Sequence, residues 1–246
     1  MFMRSFILPI LFILTFVSGC ASQQAKPLTD DEFGDSNEMI DRFEGYNRAM
    51  FSFNMTLDRW LLKPVAKGYG FVMPSFAKTG VNNFFGNVGE VSNILNDILQ
   101  WKWKQASNDT GRLLVNSTIG IGGLWDVADK VGLEQSDGED FGQTLSIWGV
   151  KQGPYIVLPL LGPSTLRDTV GRPVDYYSDP VSYVTPSGDK SALSVTRLIK
   201  VRESLLELES LVSGDKYLFI RDAYLQRRDY LIKDGELDMD FGGEDF

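Results

Sequence analysis

The sequence predicts a mostly α protein, a multi-helix single domain that carries a short irregular or hairpin segment rich in Pro and Gly. Three observations support this. Apolar residues recur at steps of three and four through most of the chain, the signature of amphipathic helices. One stretch, Tyr155 to Pro163, is nearly continuous apolar sequence, yet Pro159 and Pro163 forbid a regular helix there. The chain has 246 residues, 43% of them hydrophobic and 12% aromatic, which suits one folded domain with tails.

The N-terminus precedes that domain. Arg4 and the apolar run Phe6 to Phe16 are the charged and hydrophobic regions of a signal peptide over residues 1–19. The run is too short for a permanent membrane span. It ends at Val17-Ser18-Gly19-Cys20, which resembles a bacterial lipobox with cleavage before Cys20. The single cysteine of the chain is thereby expected to be the lipid anchor, since two or more acyl chains hold a protein on a membrane without any spanning helix. Residues 20–40 are polar and acidic, with Asp30, Asp31, Glu32 and Asp35, and read as an acylated flexible tether.

The domain itself is expected over 41–232. Phe43, Tyr46, Met50, Phe53, Leu57 and Trp60 form a helical stripe that should stop at Lys63-Pro64, because the residue before a proline disfavours helix. From Pro74, the apolar positions Phe76 to Leu99 suggest two helices with a turn near Gly86-Asn87. A further helix runs past Trp103 to Ser117, closed by Gly120-Ile121-Gly122-Gly123. Those glycines are not a phosphate loop, since no Gly-Lys-Ser/Thr follows. Ser164 to Asp168 reads as a capped helix start, with Gly171-Arg172-Pro173 as its end. Helices over 191–212 and 216–231 follow, and an acidic tail, 233–246, is expected to be solvated. For the apolar stripes, burial in a core is the favoured reading and contact with lipid the other.

Composition removes several functions. There is no histidine and one cysteine, so there is no Ser-His-Asp or Cys-His relay, no His-ligated zinc and no intrachain disulfide. No metal site and no cofactor are expected. A net charge of −9 and a pI near 4.6 argue against nucleic acid as a partner. A carboxylate-based hydrolase remains conceivable through pairs such as Glu139 with Asp140 or Asp126 with Asp129, but these lie in polar stretches that read as solvated.

The segment Phe43-Glu44-Gly45-Tyr46-Asn47-Arg48-Ala49-Met50-Phe51-Ser52-Phe53-Asn54 resembles the opening motif of the VacJ/MlaA lipoprotein family. The resemblance continues through Asn82 to Asn87, Arg112 to Gly120, Phe141 to Leu145, Gly153-Pro154-Tyr155, Thr165 to Asp168 and Arg221 to Arg228, so it covers about Phe43 to Leu231. The chain departs from the family pattern at Ser146-Ile147 and Lys151-Gln152. The resemblance implies a ring-like, non-enzymatic lipoprotein of the Gram-negative outer membrane, lipid-anchored on the periplasmic side through Cys20 and associated with a trimeric porin. It would take misplaced phospholipid from the outer leaflet and pass it to a periplasmic phospholipid-carrier protein.

A lipid path needs a polar surface for the headgroup and an apolar one for the tails. Lys151, Arg167 and Arg172 are the candidate headgroup contacts, and Tyr155, Leu158 and Leu161 the candidate apolar lining. The stretches Gly120 to Gly123 and Gly149 to Gly162 are candidates for a constriction, because irregular backbone is tolerated where it lines a cavity. Asn47, Arg48, Phe51, Phe53 and Asn54 are expected to be structural, the polar members bonding to broken backbone nearby. The competing reading is a structural outer-membrane lipoprotein without a lipid conduit.

Overall fold

A computed structural model describes residues 41–212 and 214–235, all within one unit that begins at Asn37. The signal peptide, Cys20, the tether up to residue 40 and residues 236–246 of the acidic tail lie outside the described residues. Helix α1, Glu44–Leu57, starts with an acidic side chain in its first turn, where the helix dipole favours it. The expected stop at Lys63-Pro64 does not occur. A π-helical turn, Asp58–Leu62, carries the chain into α2, Lys63–Val72, with Pro64 near the start of α2. Widening the turn ahead of Pro64 spares its ring the collision with a preceding carbonyl that a tight α-turn would bring. Arg202 holds this turn from outside, its guanidinium forked onto Asp58 at 2.5 and 2.8 Å.

The expected turn at Gly86-Asn87 is also absent. Helix α3 runs unbroken over Ser75–Leu99 and packs antiparallel to α4, Trp103–Thr118. Each internal glycine costs a helix about 1 kcal/mol. Contact with α4 and its exit loop outweighs that cost: Asn87 donates to Ser117 Oγ at 3.0 Å, and a Cβ on Gly123 would stand 2.6 Å from Asn87 Cβ. Trp101, in the left-handed region at φ 64°, makes the tight link between α3 and α4.

Helix α5, Phe141–Ile147, is capped by Asp140, which accepts from the Gln143 N–H at 2.9 Å. The apolar Pro/Gly segment forms a hairpin. Strand β1, Tyr155–Leu158, pairs antiparallel with β2, Gly162–Thr165, from Tyr155 opposite Thr165 to Leu158 opposite Gly162. Thr165 then caps α6, Leu166–Ser178, accepting the Asp168 N–H at 3.2 Å. This helix passes through Gly171-Arg172-Pro173 instead of ending there. Gly171 is a crossing point and not a stop, since a Cβ on it would lie 2.9 Å from Gly142 N of α5. Beyond Pro173, Asp175 accepts the Phe141 N–H at 2.7 Å and holds the last turns of α6 to the start of α5. Helices α7, Ser187–Ser204, and α8, Lys216–Ile232, complete the order. Lys102 pairs with Asp234, so the first residues after α8 are tied to the body where solvation was expected.

Burial inverts the expected pattern. The apolar core is small: Tyr155, Val157 and Tyr217, packed by Met50, Phe51, Leu218, Tyr224 and Leu225. Between α3 and α4 the buried side chains are polar, with Glu90 and Arg112 paired at 3.0 Å and Asp97, Asp109, Asn96 and Asn116 beside them. Large apolar side chains face outward, including all five tryptophans and, from the first stripe, Phe43, Tyr46, Phe53 and Trp60. Among the described residues, no helix is long and apolar enough to cross a membrane.

Candidate functional site

The hairpin is held by α1 through two asparagines. Asn47 donates Nδ2–H to Tyr155 O at 3.1 Å and accepts the Val157 N–H at 2.9 Å. Asn54 repeats the arrangement at the turn, donating to Leu158 O at 2.9 Å and accepting the Leu160 N–H at 2.8 Å. Seven helical residues rise about 10.5 Å and three strand residues about 10 Å, so the two amides match the two carbonyls in register. Leu160, at φ 65°, sits in the left-handed region, and the Asn54 amide satisfies the backbone N–H that this conformation turns out of the ladder.

The same face of α1 docks α8. Arg48 bridges Glu44 at 2.6 Å and the α8 cap Asp215 at 2.8 Å, with its guanidinium 4.5 Å from the Tyr217 ring centre. Phe51 meets the Tyr217 ring edge-on at 5.6 Å, while Phe53 points outward. Buried Asp41 gathers this corner, accepting from Asn47, from the Tyr217 hydroxyl and from Arg221.

Beside the hairpin turn lies a half-open cavity of about 530 Å³, bounded by Leu161, the α5 cap Asp140, the α6 residues Asp168, Arg172, Asp175 and Tyr176, then Asp179, and Tyr224 and Arg228 of α8. It is charged at the wall and apolar at the hairpin lip. Arg228 pairs with Asp140 at 2.5 and 3.0 Å and with Asp168 at 2.9 Å. Burial pushes the Asp168 carboxyl up, but Arg228, the Tyr224 hydroxyl at 2.7 Å and the Thr165 hydroxyl outweigh it and hold the group below its usual value. Asp175 goes the other way: burial raises it to about 6, against the opposing Phe141 N–H.

A second cavity, of about 730 Å³, opens near the start of α4 between Trp101, Trp103, Lys104, Glu139 and Leu231. Glu139 is buried there and bound by Lys102 at 2.9 Å and Gln100 at 2.8 Å, which corrects its reading as a solvated acid. Neither carboxylate pair resembles an acid-base couple. Asp140 is bound to Arg228, and Asp126 is held by Arg112 at 2.9 Å and Asn116 at 3.0 Å, which lowers its pKa despite burial.

The structure thus separates the lipid-path candidates. Arg172 and Leu161 line the smaller cavity together. Tyr155, 1% exposed, is a core residue, because strand alternation turns it inward with Val157. Arg167, 5% exposed, lies under the hairpin, donating to Val150 O at 3.5 Å and to Asp168 at 3.4 Å. Leu158 is half-buried at the end of β1, and Lys151 is exposed in the loop before it. Asp175, Tyr224 and Arg228 escaped the sequence reading. The i, i+4 spacing of Tyr224 and Arg228 and the i, i+3 spacing of Arg172 and Asp175 were the available signals.

Comparison with known proteins agrees with this architecture. A solved structure from work on the structural basis for maintenance of bacterial outer membrane lipid asymmetry superposes with a TM-score of 0.70 at 35% identity, covering 78% of this chain and 98% of that one. The intermembrane phospholipid transport system lipoprotein MlaA of Escherichia coli is 35% identical over 91% of this chain and 87% of its own length. Its Haemophilus influenzae counterpart is 28% identical over 94% and 92%. An uncharacterised protein of Rickettsia typhi is 38% identical over 78% of each chain. The model of the MlaA lipoprotein family matches residues 39–231, and with a lipobox-like Cys20 ahead of that match and this agreement in sequence and fold, the chain belongs to the MlaA lipoprotein family.

Proposed function

We propose that this protein removes mislocalised phospholipids from the outer leaflet of the outer membrane and passes them to a periplasmic carrier for retrograde transport, so maintaining lipid asymmetry. Acyl chains on Cys20 hold it on the periplasmic side, a trimeric porin is its membrane partner, and it moves lipid without transforming it. One observation carries the proposal: the chain matches a named phospholipid-transport lipoprotein over 91% of its length. The cavity beside the hairpin supports it, because Arg172 and Asp175 offer polar contacts and Leu161 an apolar lip within one opening.

The test is the amount of phosphatidylethanolamine on the surface of intact cells, labelled with an amine reagent that does not cross membranes. Deletion of the gene should raise the labelled fraction, and the wild-type chain should restore it. Cys20→Ala should not, because a chain without acyl groups has no anchor that commits it to the outer membrane rather than to other lipid surfaces. An unchanged labelled fraction in the deletion strain would refute the proposal and favour a purely structural lipoprotein.

A further inference from the structure

Six charged side chains line the cavity beside the hairpin turn: Asp140, Asp168, Arg172, Asp175, Asp179 and Arg228. Four of them are spent inside the protein. Arg228 holds Asp140 and Asp168, and Asp179 holds Arg197 at 2.5 Å. Arg172 and Asp175 are different, for neither has an ion-pair partner among the described residues. Arg172 donates one Nη2–H to Pro163 O at 3.2 Å and keeps its remaining donors. Asp175 accepts the Phe141 N–H at Oδ1 and keeps Oδ2.

These two residues stand three apart on α6, so their side chains neighbour each other on one face, with Cβ atoms about 5–6 Å apart. One cation and one anion, both uncommitted and both facing the same opening, complement a ligand that carries an anion and a cation a short bridge apart. A phosphoethanolamine headgroup has that form, its phosphate and primary ammonium separated by two carbons. We propose that Arg172 and Asp175 form a headgroup site selective for zwitterionic phosphatidylethanolamine, Arg172 taking the phosphate and Asp175 the ammonium. Leu161, at the hairpin lip of the same cavity, offers apolar surface beside them. A glycerol headgroup supplies the phosphate but no cation, and entering the cavity it leaves the Asp175 carboxylate desolvated and unpaired. The inference rests on the phospholipid-transport reading and names the lipid class within it.

The experiment loads the acylated protein beginning at Cys20, purified in detergent, with an equimolar mixture of phosphatidylethanolamine and phosphatidylglycerol. The protein is then re-isolated and both bound lipids are quantified. The wild type should be enriched in phosphatidylethanolamine. Asp175→Asn keeps an acceptor for the Phe141 N–H and should lower the ethanolamine-to-glycerol ratio about tenfold, the value of one charge-assisted hydrogen bond. Arg172→Gln should reduce both lipids together and leave the ratio near that of the wild type. Lipid bound with a ratio that Asp175→Asn does not move would overturn the inference and leave the transport reading intact. Wild-type protein that retains neither lipid would overturn both.

Discussion

Asn47 has a fully buried amide that bonds the backbone of β1 as well as the Asp41 carboxylate, so its removal orphans Tyr155 O and the Val157 N–H. Each buried group left unmade costs about 1–3 kcal/mol. Asn47→Ala should therefore lower the denaturant midpoint markedly, whereas Phe53→Ala, at an outward side chain of the same helix, should not; equal midpoints for the two variants would contradict the clamp. Asp97 is the other telling residue. Its buried carboxyl is pushed up to about 7 by desolvation and by the nearby charges of Asp109 and Glu139, with Lys102 opposing the shift. Because the folded pKa is raised above the unfolded value, the folded state binds the extra proton. This contribution to stability is complete below about pH 4 and is lost as pH rises through about 7. Thermal melts from pH 5 to pH 8 should show a fall in Tm that Asp97→Asn reduces, and a fall of the same size in the variant would refute the assignment.

Between elements, the crossing of α5 and α6 depends on two facing glycines. A Cβ on Gly171 would lie 2.9 Å from Gly142 N, and neither backbone yields cheaply because the Asp140 cap and the Asp175 contact pin both helices nearby. Overpacking of this kind costs about 1–3 kcal/mol and outweighs the ~1 kcal/mol an alanine gains over glycine in a helix. Gly171→Ala should destabilise. Gly68→Ala, in α2 with nothing within 4 Å of the added atom, should be neutral or stabilising, and the two urea midpoints moving in the same direction would count against this account.

Over the whole described chain, polar side chains fill the space between α3 and α4 while apolar ones face out. All five tryptophans, Trp60, Trp101, Trp103, Trp125 and Trp148, are at least 51% exposed. A water-facing protein rarely leaves so many large apolar side chains exposed, but one whose outer solvent is lipid does. The Cys20→Ala protein, lacking acyl chains, should still bind phospholipid vesicles, with its tryptophan emission shifting to the blue and quenched by lipid-borne quenchers. Emission unaffected by vesicles would show that these faces meet another protein or water instead.

Local patterns in the sequence were enough for the helices from Glu44, Trp103 and Lys216 and for a capped helix start within Ser164 to Asp168, because caps, prolines and periodicity act over a few residues, whereas the segment around Pro159 stayed open between a hairpin and an irregular loop until the pairing of β1 with β2 decided it. Cys20 and the motif from Phe43 to Asn54 likewise pointed to the family from sequence alone. The stops expected at Pro64, Gly86 and Pro173 failed because each is a local preference of a few kcal/mol at most, overridden by packing: Arg202 on the π turn, α4 against α3, and α5 across Gly171. The sense of the apolar stripes was undecidable for a different reason. Helical spacing defines a face but not its solvent, and only the tertiary structure placed Asn47, Asp97 and Arg112 inside and the tryptophans out. The cavity, too, belongs to the tertiary level, for Leu161, Arg172, Asp175 and Arg228 come from the hairpin, α6 and α8, which no spacing along the chain brings together.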